Sequence, residues 1–315
     1  MEIIKIGKQE YKSNEVYFKF LFNKTIYLDT IQINKKFDFF KIVDNKQKTR
    51  FVFYIVNLLH EKQDKHLNLP KSAPYWCIES VKKEEKPNYY FEAVSLIKDI
   101  LIQEFDSLEF TIPAIFYNDR HLNLILKSFI DNGFKARYID FNHHFNIVNF
   151  DEVSYIRDLN SNSRRNLKIA QQENLNFKKL RSKDYVNAYQ VIKENRISKN
   201  YPLKVPQEQM IYNLKNFDGD VFGLYHDSKM IASALVFGIN ETAKQLIYWG
   251  DLPDTYHLKP MNLLAYEILK YYKNTKVSLL DLGPSSDEGM INDGLANFKE
   301  SIGAQTSIKY TLSHK

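Results

Sequence analysis

The sequence of 315 residues contains a single cysteine, no long apolar run and no excess of acidic residues. One cysteine, Cys77, excludes an intrachain disulfide and a cysteine-rich zinc module, so we expect a reducing, cytoplasmic compartment. No stretch of about 18 apolar residues is present, which predicts no membrane-spanning helix. Charges recur through residues 1–20, a pattern unlike the apolar segment of a secretory signal peptide.

A strong charge of either sign is also absent. The sequence has 44 Lys and Arg against 38 Asp and Glu, a net charge of +6. This mild excess favours anionic partners such as phosphate-bearing small molecules. It is too small, and the arginines are too little interleaved with aromatic residues, to predict DNA or RNA binding. The 22 Phe and 21 Tyr instead predict globular domains with aromatic cores.

Helical and strand patterns alternate along the chain, which is typical of a mixed α/β protein. In the first half, apolar residues at helical spacing over 91–105 precede a strand pattern at 109–117. In the second half, strand patterns separate predicted helices near 161–174, 184–199, 206–216, 259–272 and 293–302.

The two halves end alike, in a helix, a glycine and a closing strand. The matching segments are "FIDNGFKARYI" and "FKESIGAQTSIKYTL", and neither half contains a low-complexity linker. We therefore expect two related domains, at 1–150 and 151–315, each a mostly antiparallel mixed sheet flanked by helices.

The helix predicted near 161–174 carries cations at its start. Arg164, Arg165 and Lys168 lie in or just after its first turn, where the partial positive charge of the helix end disfavours them. Two interpretations stay open. The cations form an ordinary solvated face, or they bind a phosphate or carboxylate together with backbone N–H groups, with Ser161 or Ser163 as the cap.

Two segments resemble a known family. "SNSRRNLKIAQQENLNFKKL" is similar to the cationic helix of the Fem-like branch of the GNAT acyltransferases, and "LLDLGPSSDEGMINDGLANFKESIGAQTSIKYTL" is similar to its C-terminal signature. The resemblance implies two tandem GNAT-like domains, the first degenerate and the second associated with the transfer cleft. It also implies transfer of an acyl or aminoacyl group, from acyl-CoA or aminoacyl-tRNA, to an amine of a cell-envelope precursor or a polysaccharide amino sugar.

Within this signature the resemblance points to two catalytic residues. Asp281 ends a predicted strand, where a carboxylate can take the proton of an attacking amine, although Asp before Gly283 also commonly forms a turn. Lys299 matches the family's F-K lysine, a cation suited to stabilise an oxyanion. Its alternative role is to complement the dipole at the end of a helix.

The junction between the strand at 244–252 and the helix at 259–272 is where the family binds its acyl donor. Tyr248 and His257 are the candidate ligand-binding residues there, although aromatic loop residues often only pack. The family's pyrophosphate loop, (Q/R)-x-x-G-x-(G/A), is replaced by "YHLKPMN". The sequence also lacks the long coiled-coil arm of several relatives that use aminoacyl-tRNA.

The sequence thus predicts an N-acyltransferase that brings a small-molecule donor and an amine acceptor together without a covalent enzyme intermediate. The alternative is a non-catalytic protein that binds an anionic, nucleotide-linked ligand. No metal is expected: His60, Asp64 and His66 lie close in sequence but lack the H-E-x-x-H spacing. Cys77, within an aromatic segment, is expected to be buried rather than nucleophilic.

Overall fold

The computed structural model describes residues 1–31, 36–57, 65–70 and 73–315, so His60 and Asp64 of the unfavoured metal site lie outside the described residues. The chain forms two compact units. The first comprises Met1–Phe141, Ser286–Met290 and Ser307–Lys315, and the second comprises Asn142–Ser285 and Ile291–Thr306. The division into related domains near residue 150 stays a prediction.

The first unit contains four helices and two sets of paired strands in its described residues. Its helices are α1 (Lys8–Ser13), α2 (Thr25–Leu28), α3 (Pro87–Glu104) and α4 (Asp119–Asp131). An antiparallel sheet has the order β1 (Glu2–Ile6), β2 (Lys36–Val43), β3 (Thr49–Asn57) and β5 (Glu79–Ser80). In the second set, β6 (Ser107–Thr111) pairs with β4 (His66–Leu69) in parallel and with the end of β15 (Gln305–His314) in antiparallel orientation.

Aromatic side chains build the core of the first unit, as the composition predicts. Trp76 is fully buried, stacks on Phe110 with ring centroids 4.9 Å apart and donates its indole N–H to the Tyr54 carbonyl at 2.9 Å. Cys77 is buried beside it, and burial raises the pKa of its thiol. A neutral buried thiol is a packing group rather than a nucleophile.

The second unit is built on a mixed sheet. The strand order is β7 (Lys135–Asn146, which enters this unit at Asn142), β12 (Leu279–Pro284), β11 (Ala243–Asp251), β10 (Lys229–Gly238), β9 (Asp220–His226) and β8 (Leu175–Lys179). All neighbours pair in antiparallel orientation except β11 and β12. The predicted mixed α/β class, with a mostly antiparallel sheet, is confirmed.

Six helices flank this sheet in the second unit. They are α5 (Glu152–Asp158), α6 (Ser161–Gln172), α7 (Tyr185–Ser198), α8 (Gln207–Asn216), α9 (Pro260–Lys273) and α10 (Asp293–Ser301). A short hairpin, β13 (Ser286–Asp287) with β14 (Met290–Ile291), precedes α10. No helix in the described part of the chain is long and apolar enough to cross a membrane.

Alternation along β10 assigns the helices to opposite faces of the sheet. Ala232 and Ala234 belong to a core cluster that also includes residues of α6 and α9. Ser233, between them, donates its hydroxyl to the Ala188 carbonyl of α7 at 2.8 Å. Helix α7 therefore lies on one face, and α6 and α9 lie on the other.

Helix ends follow local chemistry. The expected cap at Ser161 or Ser163 is wrong: Asn160 caps α6, because its side-chain oxygen accepts from the Ser163 N–H at 2.8 Å and Ser161 is already helical. The left-handed glycine predicted after the helix of the first half is confirmed at Gly133, with φ 91°, and Gly303 after α10 has φ 83°.

Candidate active site

The strands β11 and β12 part inside the sheet of the second unit. They pair in parallel over only three residue pairs, which end at Gln245 opposite Asp281. Beyond this point β11 continues from Leu246 to Asp251, paired with β10 on one edge and with no described strand on the other. A register shift near Ile247 marks a bulge, which bends and twists a strand locally.

Asp281 lies where the two strands part, and its carboxylate is buried among hydrogen-bond donors. One oxygen accepts from Asn142 Nδ2 at 2.9 Å and from the Gly283 N–H at 2.8 Å, and the other accepts from Gln245 Nε2 at 3.0 Å. The side chain joins β7, β11 and β12. Three intramolecular donors therefore satisfy both oxygens of this buried carboxylate.

Lys299, which lies on α10, binds the carboxyl end of β12. Its ammonium donates to the Gly283 carbonyl at 2.8 Å and to the Pro284 carbonyl at 3.0 Å, and the residue is 2% exposed. Gly283 has φ 72°, a conformation that favours glycine and that turns these carbonyls. The lysine thus places a buried positive charge at the carboxyl end of β12.

Two histidines of β7 lie beside these groups. His144 is opposite Asp281 in the strand register, and His143 Nδ1 is 3.0 Å from Ser285 Oγ. Burial lowers the pKa of both imidazoles and so disfavours their charged forms. The Glu300 carboxylate lies 3.7 Å from His143 Nε2 and opposes this shift.

The outer part of β11 packs Tyr248 against the last turn of α7. The Arg196 guanidinium lies 5.0 Å from the Tyr248 ring centroid and 5.8 Å from that of Tyr201. Burial lowers the pKa of Arg196 and raises that of Tyr248. Tyr248, a predicted ligand-binding residue, therefore belongs to a cluster centred on an arginine, which we call the Arg196 cluster: Arg196, Tyr201, Tyr248 and Asn292.

Asp251 ends β11 as a second buried carboxylate. Asn195 Nδ2 donates to its carbonyl at 2.7 Å and to its carboxylate at 3.3 Å. Burial raises the pKa of Asp251 to about 6, and Lys199 opposes the shift. Gly250 allows this approach, since a Cβ there would lie 2.5 Å from Asn195 Cγ. A carboxyl with such a pKa exchanges its proton near neutral pH.

The cationic side chains of α6 do not lie beside Asp281, Lys299 or the Arg196 cluster. Arg164, Arg165 and Lys168 are exposed on a helix that packs on the face of the sheet opposite α7. Arg164 donates to the Leu159 carbonyl at 3.2 Å. Their distribution accommodates either a solvated face or an anion site, and the choice stays a prediction.

The described residues contain no group of three or more His, Cys, Asp or Glu that could hold a metal ion. His66, the described member of the histidine pair considered from the sequence, instead places Nδ1 2.6 Å from Ser107 Oγ.

Solved structures resemble this chain, although no protein-family model and no curated protein sequence matches it. The crystal structure of FemX covers 99% of the chain and 97% of its own length, with a TM-score of 0.69 and 12% identity. L-PGS from Bacillus licheniformis covers 98% and 92%, with a TM-score of 0.57 and 11% identity. A tandem GNAT protein from the clavulanic acid biosynthesis pathway covers 99% and 98%, with a TM-score of 0.52 and 10% identity.

The chain has the fold of FemX and of the tandem GNAT protein. The resemblance seen in the sequence is thereby confirmed for the fold. At 12% identity or less, these similarities describe architecture, and the chemistry has to be argued from the residues of this chain.

Acyl-CoA, a donor associated with the GNAT fold, carries a diphosphate that suits a helix N-terminus. Here α9 follows the 3₁₀ segment Pro253–Leu258, in which His257 is exposed, and the left-handed Lys259. Pro260 has no N–H, and the Asn262 N–H already donates to the Lys259 carbonyl at 3.1 Å. Because one donor is missing and another is occupied, this helix start fits a diphosphate poorly.

Two groups of the candidate site, Arg196 and Asp251, were missed from the sequence. A weak signal existed for Asp251, because the strand pattern "LIYWGD" ends in an acidic residue. None existed for Arg196, since its partners lie on a loop and a strand that only the fold brings together.

Proposed function

We propose that the chain transfers an acyl or aminoacyl group from an activated ester or thioester to an amine. The free edge of β11 between Leu246 and Asp251 carries this proposal. Such an edge binds an extended, amide-containing chain through main-chain hydrogen bonds, in the manner of an added strand. The donor's carbonyl carbon is then held in position for attack by the amine.

In the reaction the C–N bond forms as the C–O or C–S bond of the donor breaks. The attacking nitrogen loses a proton, and the carbonyl oxygen carries negative charge in the transition state. We assign proton removal to Asp281 and oxyanion stabilisation to Lys299. Their position at the end of β12, where it parts from β11, supports these roles. Asp251 is a second carboxylate able to take the proton.

The chemistry of the chain also narrows the donor and acceptor. The poor fit of the α9 start to a diphosphate supports an aminoacyl ester, or a thioester bound mainly through its acyl and amide portions. We propose that the acceptor is the amine of a cell-envelope precursor or an amino sugar, and that the exposed Arg164, Arg165 and Lys168 bind a phosphate group of one substrate. The single buried thiol of Cys77 supports a cytoplasmic location.

A second candidate function is a binding protein for an anionic, nucleotide-linked ligand. The observation in its favour is that Asp281 and Lys299 both form hydrogen bonds with main-chain groups of β12, as structural residues do.

Turnover separates the two functions. The purified chain is incubated with acyl-CoA thioesters or aminoacyl-tRNAs and a panel of amino sugars and amino acids, and N-acylated product is measured by mass spectrometry. Asp281→Asn and Lys299→Met should each lower the rate per folded molecule by roughly 10²–10³. A wild-type chain that is stabilised by such compounds without ever forming product would establish the binding function.

A further inference from the structure

Arg196 is a half-buried cation with no carboxylate partner in the described part of the chain. Two buried cations in this protein do have one, and the buried Lys299 donates instead to two main-chain carbonyls. Lys244 lies 2.7 Å from Asp218 Oδ2 and 3.1 Å from Asp220 Oδ2, and Arg50 pairs with Asp44. Removing a charge from water is costly unless an opposite charge or strong acceptors compensate it. Arg196 therefore lacks the compensation that the chain supplies elsewhere.

Arg196 makes cation–π contacts with two tyrosine rings. Tyr248 and Tyr201 both lie within 6 Å of the guanidinium, at 5.0 and 5.8 Å from their ring centroids. Contacts of this kind do not use the N–H groups as hydrogen-bond donors, and the fork of a guanidinium matches a carboxylate with two parallel hydrogen bonds.

The segment around Arg196 is held in place by tyrosine hydroxyls. Tyr201 Oη accepts from Asn292 Nδ2 at 3.0 Å, and Tyr189 Oη donates to the Val205 carbonyl at 2.8 Å. The N–H groups of Lys204 and Val205 lie close enough to the Tyr248 hydroxyl to oppose the rise of its pKa. The loop after α7 is thus fixed to β11 and to the start of α10, so the Arg196 cluster is formed in advance of any ligand.

The Arg196 cluster also adjoins the edge of β11 that we propose binds the donor, because Tyr248 belongs to the part of β11 that does not pair with β12. We propose that Arg196 binds a carboxylate of the amine acceptor, which narrows the acceptors proposed above to those that carry a carboxylate. The identification of the ligand as the acceptor rests on the proposed transferase function. The carboxylate site itself does not require turnover. The guanidinium fork also matches phosphate geometry, so inorganic phosphate is the competing anion in the test.

Direct binding tests the site without any donor. Wild-type protein is titrated with α-amino acids and dipeptides, with the corresponding carboxamides and with inorganic phosphate, and affinity is measured by calorimetry. We expect the carboxylates to bind in preference to phosphate, and the carboxamides to bind at least tenfold more weakly than the carboxylates, given the strength of charge-assisted hydrogen bonds. Arg196→Gln should weaken carboxylate binding by roughly 10- to 100-fold.

Two further variants sharpen the result. Arg196→Lys keeps the charge without the fork and should recover only part of the affinity. Lys193→Gln removes an exposed charge from the same helix and should leave the affinity unchanged. Preference for phosphate over carboxylate, or equal carboxylate affinity in Arg196→Gln and wild type, would overturn the inference. Arg196-dependent carboxylate binding without turnover would keep it and reject the transferase function.

Discussion

Replacing Asp251 by asparagine should stabilise the protein, and more so at higher pH. The side chain is 6% exposed, and burial raises its pKa from an ordinary value of 3.8 to about 6. At about 1.4 kcal/mol per pKa unit, the ionised carboxylate costs the folded state about 3 kcal/mol at pH 7.5. Asparagine has nearly the same shape, carries no charge and can still accept from Asn195 Nδ2.

The sign follows from proton linkage. Because the folded state binds this proton more tightly than the unfolded state, the contribution of Asp251 to stability is fully present below about pH 3.8 and is lost as the pH rises to about 6. The advantage of Asp251→Asn should therefore grow by roughly 1 kcal/mol between pH 5 and pH 7.5. Urea unfolding followed by circular dichroism at both pH values measures it.

Asp254→Asn provides the matched control. Asp254 is exposed, and its hydrogen bond with Lys229 lowers its pKa, so its ionisation lies below the tested range. This variant should change stability equally at both pH values. The reasoning fails if Asp251→Asn is less stable than wild type at pH 7.5, or if its advantage does not depend on pH. If Asp251 also takes the proton of the amine, the transfer rate of the wild type should rise with pH through about 6.

Three further experiments with other variants give distinct outcomes. Lys299→Met should cost about 1–3 kcal/mol in urea unfolding, because two buried carbonyls lose their donor; an unchanged stability would contradict that structural part of its role. Gly250→Ala should cost about 1–3 kcal/mol through its clash with Asn195, whereas Gly294→Ala, whose Cβ would meet only Asn292 Oδ1 at 3.6 Å, should cost nothing. Arg164→Ala combined with Arg165→Ala should weaken binding of a phosphate-bearing substrate at low salt and do so less at high salt; unchanged affinity would identify a solvated face.

Periodicity and short motifs were sufficient to predict the fold from the sequence. The mixed α/β class and the Fem-like resemblance are confirmed, because helical spacing and the glycine after a helix are local signals. The capping residue of α6 was assigned wrongly, to Ser161 or Ser163 instead of Asn160, since three neighbouring residues can all cap and only the backbone selects one.

The candidate site was harder to predict, because it depends on contacts between distant parts of the chain. Asp281 and Lys299 were found through a motif, but their bonds to Gln245 and to the end of β12 arise from strand pairing. Arg196 meets Tyr248 across more than fifty residues of sequence, and the burial that raises the pKa of Asp251 has no local signature. The catalytic and ligand-binding roles stay predictions.

Each of the two compact units contains one of the protein's two tryptophans, which provides a separate optical reporter for each. Trp76 is buried in the aromatic core of the first unit. Trp249 lies in the second unit, on the part of β11 beyond its pairing with β12, and its ring centroid is 5.6 Å from that of Phe298, the residue before Lys299. Fluorescence of a Trp249→Phe variant reports only the first unit, and that of Trp76→Phe only the second. Emission from Trp249 can therefore reveal a donor that lies along β11 even when no product is formed.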